Sequence, residues 1–171
     1  MRRPENNEYA EWYAGYVSSI TETDVAAVMA EQIDEIEGLY GSIDEERGTF
    51  TYADGKWTIK ELLGHIIDGE RVFAYRLHRF SHGDVTPLSS FDQDIYVANG
   101  RSNERTFADL IDEFATQRRS NLALVRSFRE EDWDLAGIAS DNLITVRALT
   151  FIMAGHVRHH LNILRDRYLS N

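Results

Sequence analysis

The chain has 171 residues, 43% of them hydrophobic and 27% charged, which is single-domain length and enough apolar material to bury a core without disulfides or structural metal. Its 18 Lys and Arg stand against 29 Asp and Glu, a net charge of −11, and no long basic run breaks that balance, which argues against nucleic acid or an anionic membrane surface as a partner. With no cysteine, thiolate nucleophiles, iron–sulfur clusters and cysteine-held zinc are excluded together, so any metal falls to His, Asp or Glu.

Met1 to Ile20 carries Arg2, Arg3, Glu5, Glu8 and Glu11 and has no apolar signal region, and the stretch Ala148 to Val157 is far too short to span a bilayer. The expectation is a soluble, cytoplasmic protein. Only two prolines occur and apolar residues recur at three and four rather than at two, which predicts an all-α protein. A short amphipathic arm over residues 8–20 (Tyr9, Trp12, Tyr13, Tyr16) precedes four long helices.

The first long helix is predicted to start at Thr23 or Asp24, to present Val25, Val28, Met29, Gln32, Ile33, Ile36 and Leu39 or Tyr40 on one face, and to end near Gly41. Residues 44–57 read as a connector. Thr58-Ile59-Lys60-Glu61 is a capping-box pattern that opens a second helix running to about His82. Residues 83–103 are long for a connection inside a bundle, the kind of crossover loop that tends to carry function, and Phe91, Ile95, Tyr96 and Val97 suggest that it packs down. A third helix starts after Thr106 with Phe107, Leu110, Phe114, Arg118, Leu122 and Val125 on its inner face. A fourth starts near Thr145 with Leu149, Ile152, Met153, His156, His160 and Ile163 on one stripe. Four such helices with one long crossover loop make a four-helix bundle, read as one domain over residues 1–171.

Six histidines occur, and His156 and His160 are the informative pair. Their i,i+4 spacing places both imidazoles on one face, and that face is apolar, where two unpaired imidazoles would be costly unless a cation took their lone pairs. An H-x-x-x-H pair also recurs on solvent-facing helices, so a third ligand is required, and His65 on the second helix is the candidate. His78, His82 and His159 are expected to face away. Gly64, Gly69, Ala154 and Gly155 cost helix propensity, about 1 kcal/mol for each glycine; they leave room either for a site or for close helix packing. Three imidazoles without a fourth protein ligand make an open coordination sphere of the catalytic kind, able to lower the pKa of bound water or polarise a substrate atom. The pair lacks the following Glu of a zincin, and no G-x-S-x-G, P-loop or G-x-G-x-x-G occurs.

The segments Trp57-Thr58-Ile59-Lys60-Glu61-Leu62-Leu63-Gly64-His65-Ile66, Glu70 to Arg76, Pro87-Leu88 with Phe91 to Asp94, and Gly155-His156-Val157-Arg158-His159-His160-Leu161 resemble the DinB-like (DinB/YfiT) superfamily of small bacterial four-helix-bundle metal-dependent proteins. The resemblance runs from the first long helix to Tyr168. It implies that His65, His156 and His160 bind a divalent metal, that the protein forms a homodimer, and that relatives include transferases using low-molecular-weight thiols such as bacillithiol or mycothiol. Many members carry Gln three positions after the second histidine of the pair; here Ile163 stands there, beside Asn162.

The long loop could fold Asp92 and Asp94 over the metal site as proton acceptors or substrate contacts, or these could be ordinary loop carboxylates. For Arg76 the expected role is an ion pair, with an anionic substrate as the alternative. Three functions follow for a small-molecule substrate: a thiol S-transferase using Zn, Ni or Fe, a metal-dependent hydrolase, or a metal-binding bundle without turnover that serves a stress response.

Overall fold

A computed structural model describes residues 1–170. Six α-helices follow one another: α1 (Ala14–Ser19), α2 (Val25–Gly41), α3 (Ile59–Ser81), α4 (Gln93–Asn99), α5 (Phe107–Arg126) and α6 (Val146–Ile163), with a π-helical turn over Leu164–Leu169 extending the last. Strands β1 (Ala136–Ala139) and β2 (Asn142–Thr145) form an antiparallel hairpin between α5 and α6.

The long helices begin where side chains can satisfy their first orphan N–H groups. Asp24 accepts from the Ala27 amide at 3.0 Å, Thr106 from Asp109 at 3.1 Å and Thr145 from Ala148 at 3.0 Å. At α3 the capping box closes in both directions, Glu61 N–H to Thr58 Oγ1 at 3.1 Å and Thr58 N–H to Glu61 Oε2 at 2.8 Å. The arm expected over residues 8–20 is realised as two 3-10 turns, Asn6–Glu8 and Glu11–Tyr13, followed by α1.

The helix neighbours are α2 with α5 and α6, and α3 with α5 and α6. Consecutive helices α2 and α3 are therefore diagonal, as are α5 and α6, and the α2–α3 and α5–α6 connections cross an end of the bundle. Helix α1 packs on the outer side of α6, so α6 is buried all round from Val146 to Val157 rather than along one stripe. No helix among the described residues is long and apolar enough to cross a membrane.

Two differences from the expected loops bear on the site. The 83–103 crossover contains α4, and only Val97 of that helix is buried; Ile95 and Tyr96 are 58% and 42% exposed. The hairpin escaped the periodicity because four-residue strands are too short to show alternation. Its turn holds Ser140 and Asp141 at φ of 52° and 62°, left-handed values that a two-residue hairpin turn requires and non-glycine residues adopt at a cost.

The apolar interior falls into two clusters, one around Met29, Phe73, Phe80 and Ile152, the other around Ile36, Leu63, Phe114 and Leu161. Between them lies a buried polar layer. Arg118 on α5 donates to both oxygens of Glu70 on α3, at 3.0 and 2.5 Å, and to Gln32 Oε1 on α2 at 2.9 Å. Asn121 donates to Glu70, and Gln32 Nε2 donates to the Ala154 carbonyl on α6 at 2.8 Å. Arg118 and Glu70 are both fully buried, so each depends on the other to offset desolvation. Arg118→Met should lower stability by about 3–5 kcal/mol in urea unfolding, because it strands the Glu70 carboxylate; Glu70→Leu combined with Arg118→Met should cost much less.

Candidate metal centre

His65 on α3 and His156 and His160 on α6 come together at the interface of those two helices. Their exposures are 4%, 4% and 6%. His65 Nε2 lies 3.1 Å from His160 Nε2 and 3.0 Å from His156 Nε2, and one nitrogen from each ring falls within 4.8 Å of the other two. The three histidines picked out in the sequence thus converge on one point in space.

Each ring is held by its surroundings. Trp57 packs on His65 at 4.7 Å between ring centroids, and Tyr16 and Phe73 meet His156 edge-on at 5.5 and 5.4 Å. Gly69 makes room for His156, since a Cβ there would lie 2.6 Å from the ring's Cε1. Gly155 serves packing instead: a Cβ would lie 2.2 Å from the Tyr16 carbonyl oxygen of α1. Gly64 likewise faces Ser102, not the histidines. The two readings of the small residues therefore divide by position.

Burial lowers the His65 pKa to about 4, helped by the nearby His159, and holds His156 and His160 well below the usual imidazole range, with the neighbouring histidines adding to the effect. All three are neutral near pH 7, the state that donates lone pairs. No placement of their three protons satisfies every nitrogen. His65 Nε2 has one lone pair for two neighbours, and the buried Nδ1 atoms of His65 and His160 have no hydrogen-bond partner. A divalent ion fits this arrangement: two imidazole nitrogens bound to one ion at about 2.0–2.1 Å are separated by roughly 3 Å.

The triad opens onto two clefts. One, of about 370 Å³, is lined by His160 with Tyr52, Trp57, Gln93, Asp94 and Tyr168. The other, of about 390 Å³, is lined by His65 and His156 with Tyr13, Tyr16, Phe91 and Ser140, and Gln93 at the start of α4 borders both. Asp94 therefore shares a cleft with a triad histidine. Asp92 lines neither; its carboxylate caps α4, accepting from the amides of Asp94 and Ile95 at 2.9 and 3.2 Å. The ion pair expected for Arg76 is not formed. Its guanidinium meets only neutral oxygens: Ser89 O, Ser140 Oγ and the Tyr13 hydroxyl. Ile163, at the position of the family's glutamine, lines the His160 cleft and offers no polar group there. His78, His82 and His159 are exposed. Gln93 was visible in the sequence only as part of the segment Phe91 to Asp94, and Tyr13 and Tyr16 only as part of the amphipathic arm, since no local spacing ties them to the histidines.

Two outcomes follow. Gly38→Ala, on an open face of α2, should raise stability by about 0.5–1 kcal/mol, whereas Gly69→Ala should lower it and weaken divalent-metal binding, read by thermal unfolding and chelator competition. The unfolded chain protonates its histidines near pH 6.5, but the folded metal-free chain resists protonation to about pH 4 at His65 and below the normal range at the other two. The stability of metal-free protein should therefore be complete above about pH 6.5 and fall as pH drops toward 4, and a variant with all three histidines replaced should show a shallower decline over that window.

The family model of the DinB superfamily matches residues 29–164. A solved structure described as YfiT from Bacillus subtilis, a probable metal-dependent hydrolase with an unusual four-helix bundle topology, aligns with a TM-score of 0.76 at 14% identity, over 96% of this chain and 92% of its own. A mycothiol-dependent maleylpyruvate isomerase aligns with a TM-score of 0.68 at 11% identity, covering 85% of this chain and 61% of its own. None of the curated proteins matches this chain. At these identities the two structures speak for the fold, while the family match spans the histidine triad. The chain belongs to the DinB superfamily.

Proposed function

We propose that this protein is a divalent-metal-dependent enzyme that transfers a low-molecular-weight thiol to an electrophilic small molecule, with the metal held by His65, His156 and His160. The observation that carries the reading is the convergence of three neutral, buried imidazoles on one point that two clefts reach from different sides. Bound there, the ion would supply Lewis acidity, lowering the pKa of a thiol or of water.

The chain's own groups fit a two-substrate reaction. With no cysteine in the sequence, the nucleophilic sulfur must arrive on a soluble cofactor. Two separate clefts give the thiol and the electrophile distinct approaches, with Gln93 between them able to donate or accept a hydrogen bond on either side. Tyr13, Tyr16, Phe73 and Phe91 give the His65 and His156 side an aromatic wall against which an apolar substrate body could pack. The mycothiol dependence of the second structural neighbour is consistent with this reading.

Hydrolysis is the second reading, favoured by one observation: Asp94 lines the cleft that contains His160, where a carboxylate could take a proton from water. The first neighbour's description points the same way. A bundle that binds metal without turnover is the third. The transferase reading carries with it a cytoplasmic setting, where small thiols stay reduced, and a homodimer that light scattering after gel filtration would detect.

Elemental analysis of tag-free protein should find about one divalent ion per chain, Zn, Ni or Fe, and none in His65→Ala or His156→Ala. No metal after reconstitution overturns both enzyme readings. With the metal restored, metal-dependent conjugates of an electrophile with added thiol, identified by mass spectrometry, support transfer. A hydrolysed product that forms without thiol and disappears in Asp94→Asn supports hydrolysis instead.

A further inference from the structure

The described residues include three arginines whose exposure is 2% or less: Arg76, Arg118 and Arg147. Two are matched by carboxylates. Arg118 pairs with Glu70, and Arg147 donates to Glu8 at 3.2 Å and to Asp134 at 2.6 Å. Arg76 has no carboxylate oxygen of the described residues within 4.0 Å, in a chain with an excess of eleven acidic groups. Its partners are Ser89 O at 3.1 Å, Ser140 Oγ at 3.0 Å and the Tyr13 hydroxyl at 3.4 Å, with the Phe91 ring centroid 6.0 Å from its guanidinium carbon. A buried guanidinium without a counter-ion costs several kcal/mol, and folds do not retain that cost without return.

Arg76 also borders a cleft of about 530 Å³, which it lines with Val72, Tyr75, Leu88, Phe91 and Tyr96. That cleft shares Phe91 with the one containing His65 and His156, and Tyr13 and Ser140, which hydrogen-bond to Arg76, line the latter. The guanidinium thus stands on the wall between the two spaces. Its setting is built by parts that otherwise lack a purpose. Leu88 N–H donates to Ile138 O and Ser140 N–H donates to Leu88 O, at 2.9 and 3.0 Å. This pairing locks the crossover segment onto the hairpin and delivers Ser89 O and the left-handed Ser140 to the same arginine.

We infer that Arg76 is the anchor for a carboxylate on the small-molecule substrate, which is an organic acid with an aromatic or unsaturated body that lies along Phe91 toward the histidine triad. Planar, bidentate pairing of guanidinium with carboxylate is the strongest recognition available to this side chain, and a substrate carboxylate is the counter-ion that the fold withholds. Arg76 lies eleven residues beyond His65 on α3, about 16 Å along the axis, and its side chain leans back toward the helix N-terminus. An acid anchored there extends toward the triad. The inference deepens the proposed enzymatic reading and rests on it for the chemistry; binding of the acid is independent of the metal.

The test is binding to metal-free protein, so that loss of the enzymatic reading leaves it intact. Benzoate, cinnamate, phenylpyruvate and fumarate are each titrated against the matching neutral amide, followed by calorimetry and by fluorescence of Trp12, which borders the triad cleft. At least one acid should bind tenfold or more tightly than its amide. Arg76→Gln should remove that preference, Arg76→Lys should keep part of it, and Gly38→Ala, on the open face of α2, should leave it unchanged. No carboxylate preference in wild type, or one that survives in Arg76→Gln, overturns the inference. Stability gives a second reading: Arg76→Met should be as stable as wild type or more so, because it removes an unpaired buried charge. A loss as large as that from Arg118→Met would assign Arg76 to the framework and overturn its role as an anchor.

Discussion

The bundle is organised around one buried cation. Arg118 reaches Glu70 on α3 and Gln32 on α2, and Gln32 passes the connection to the α6 backbone at Ala154, so one hydrogen-bonded layer touches all four long helices at the same height. A charge that deep can be satisfied in very few arrangements, and a sliding or rotated helix would leave a lone pair or an N–H without a partner. The apolar contacts on either side are tolerant of such slips; the polar layer is not. His156 lies two residues beyond Ala154, so the register that satisfies Arg118 also sets where the imidazoles meet.

This dependence explains what the amino-acid sequence made legible. Helices α2, α3, α5 and α6 were readable because their caps are local: Asp24, Thr58 with Glu61, Thr106 and Thr145 each satisfy an amide within three residues. The buried faces were readable because apolar spacing follows the helical period, as in Val25, Val28, Met29, Ile33 and Ile36. Gln32 and Arg118 stood in those stripes as polar exceptions, and that was the one available sign of the layer they form. The triad was legible only in halves, since His156 and His160 are four residues apart while His65 lies on another helix; in the sequence only the family pattern joins them.

What was not legible depended on long-range geometry. The hairpin is too short for periodicity, and its left-handed Ser140 and Asp141 carry no glycine to mark the turn. Asp92 was indistinguishable by type from Asp94, yet one is occupied in capping a short helix and the other lines a cleft. Arg76 was expected to find a carboxylate because most surface arginines in an acidic chain do, but it is buried, and the segments facing it present only neutral oxygens. Charge counts describe an average surface; they say nothing about which interior position is left without a counter-charge.

The diagonal connectivity also has a bearing on how the site comes into being. The imidazoles that touch belong to residues 91 and 95 positions apart, and the chain between them contains α4, α5 and the hairpin. Contacts of such separation carry a large loop-closure cost and form late. During synthesis, His65 would be present for most of the time without its partners, and the His156–His160 pair appears only when the last helix leaves the ribosome. The complete donor set is thus a product of finished folding, and the growing chain holds only one imidazole of the triad until its final helix is in place.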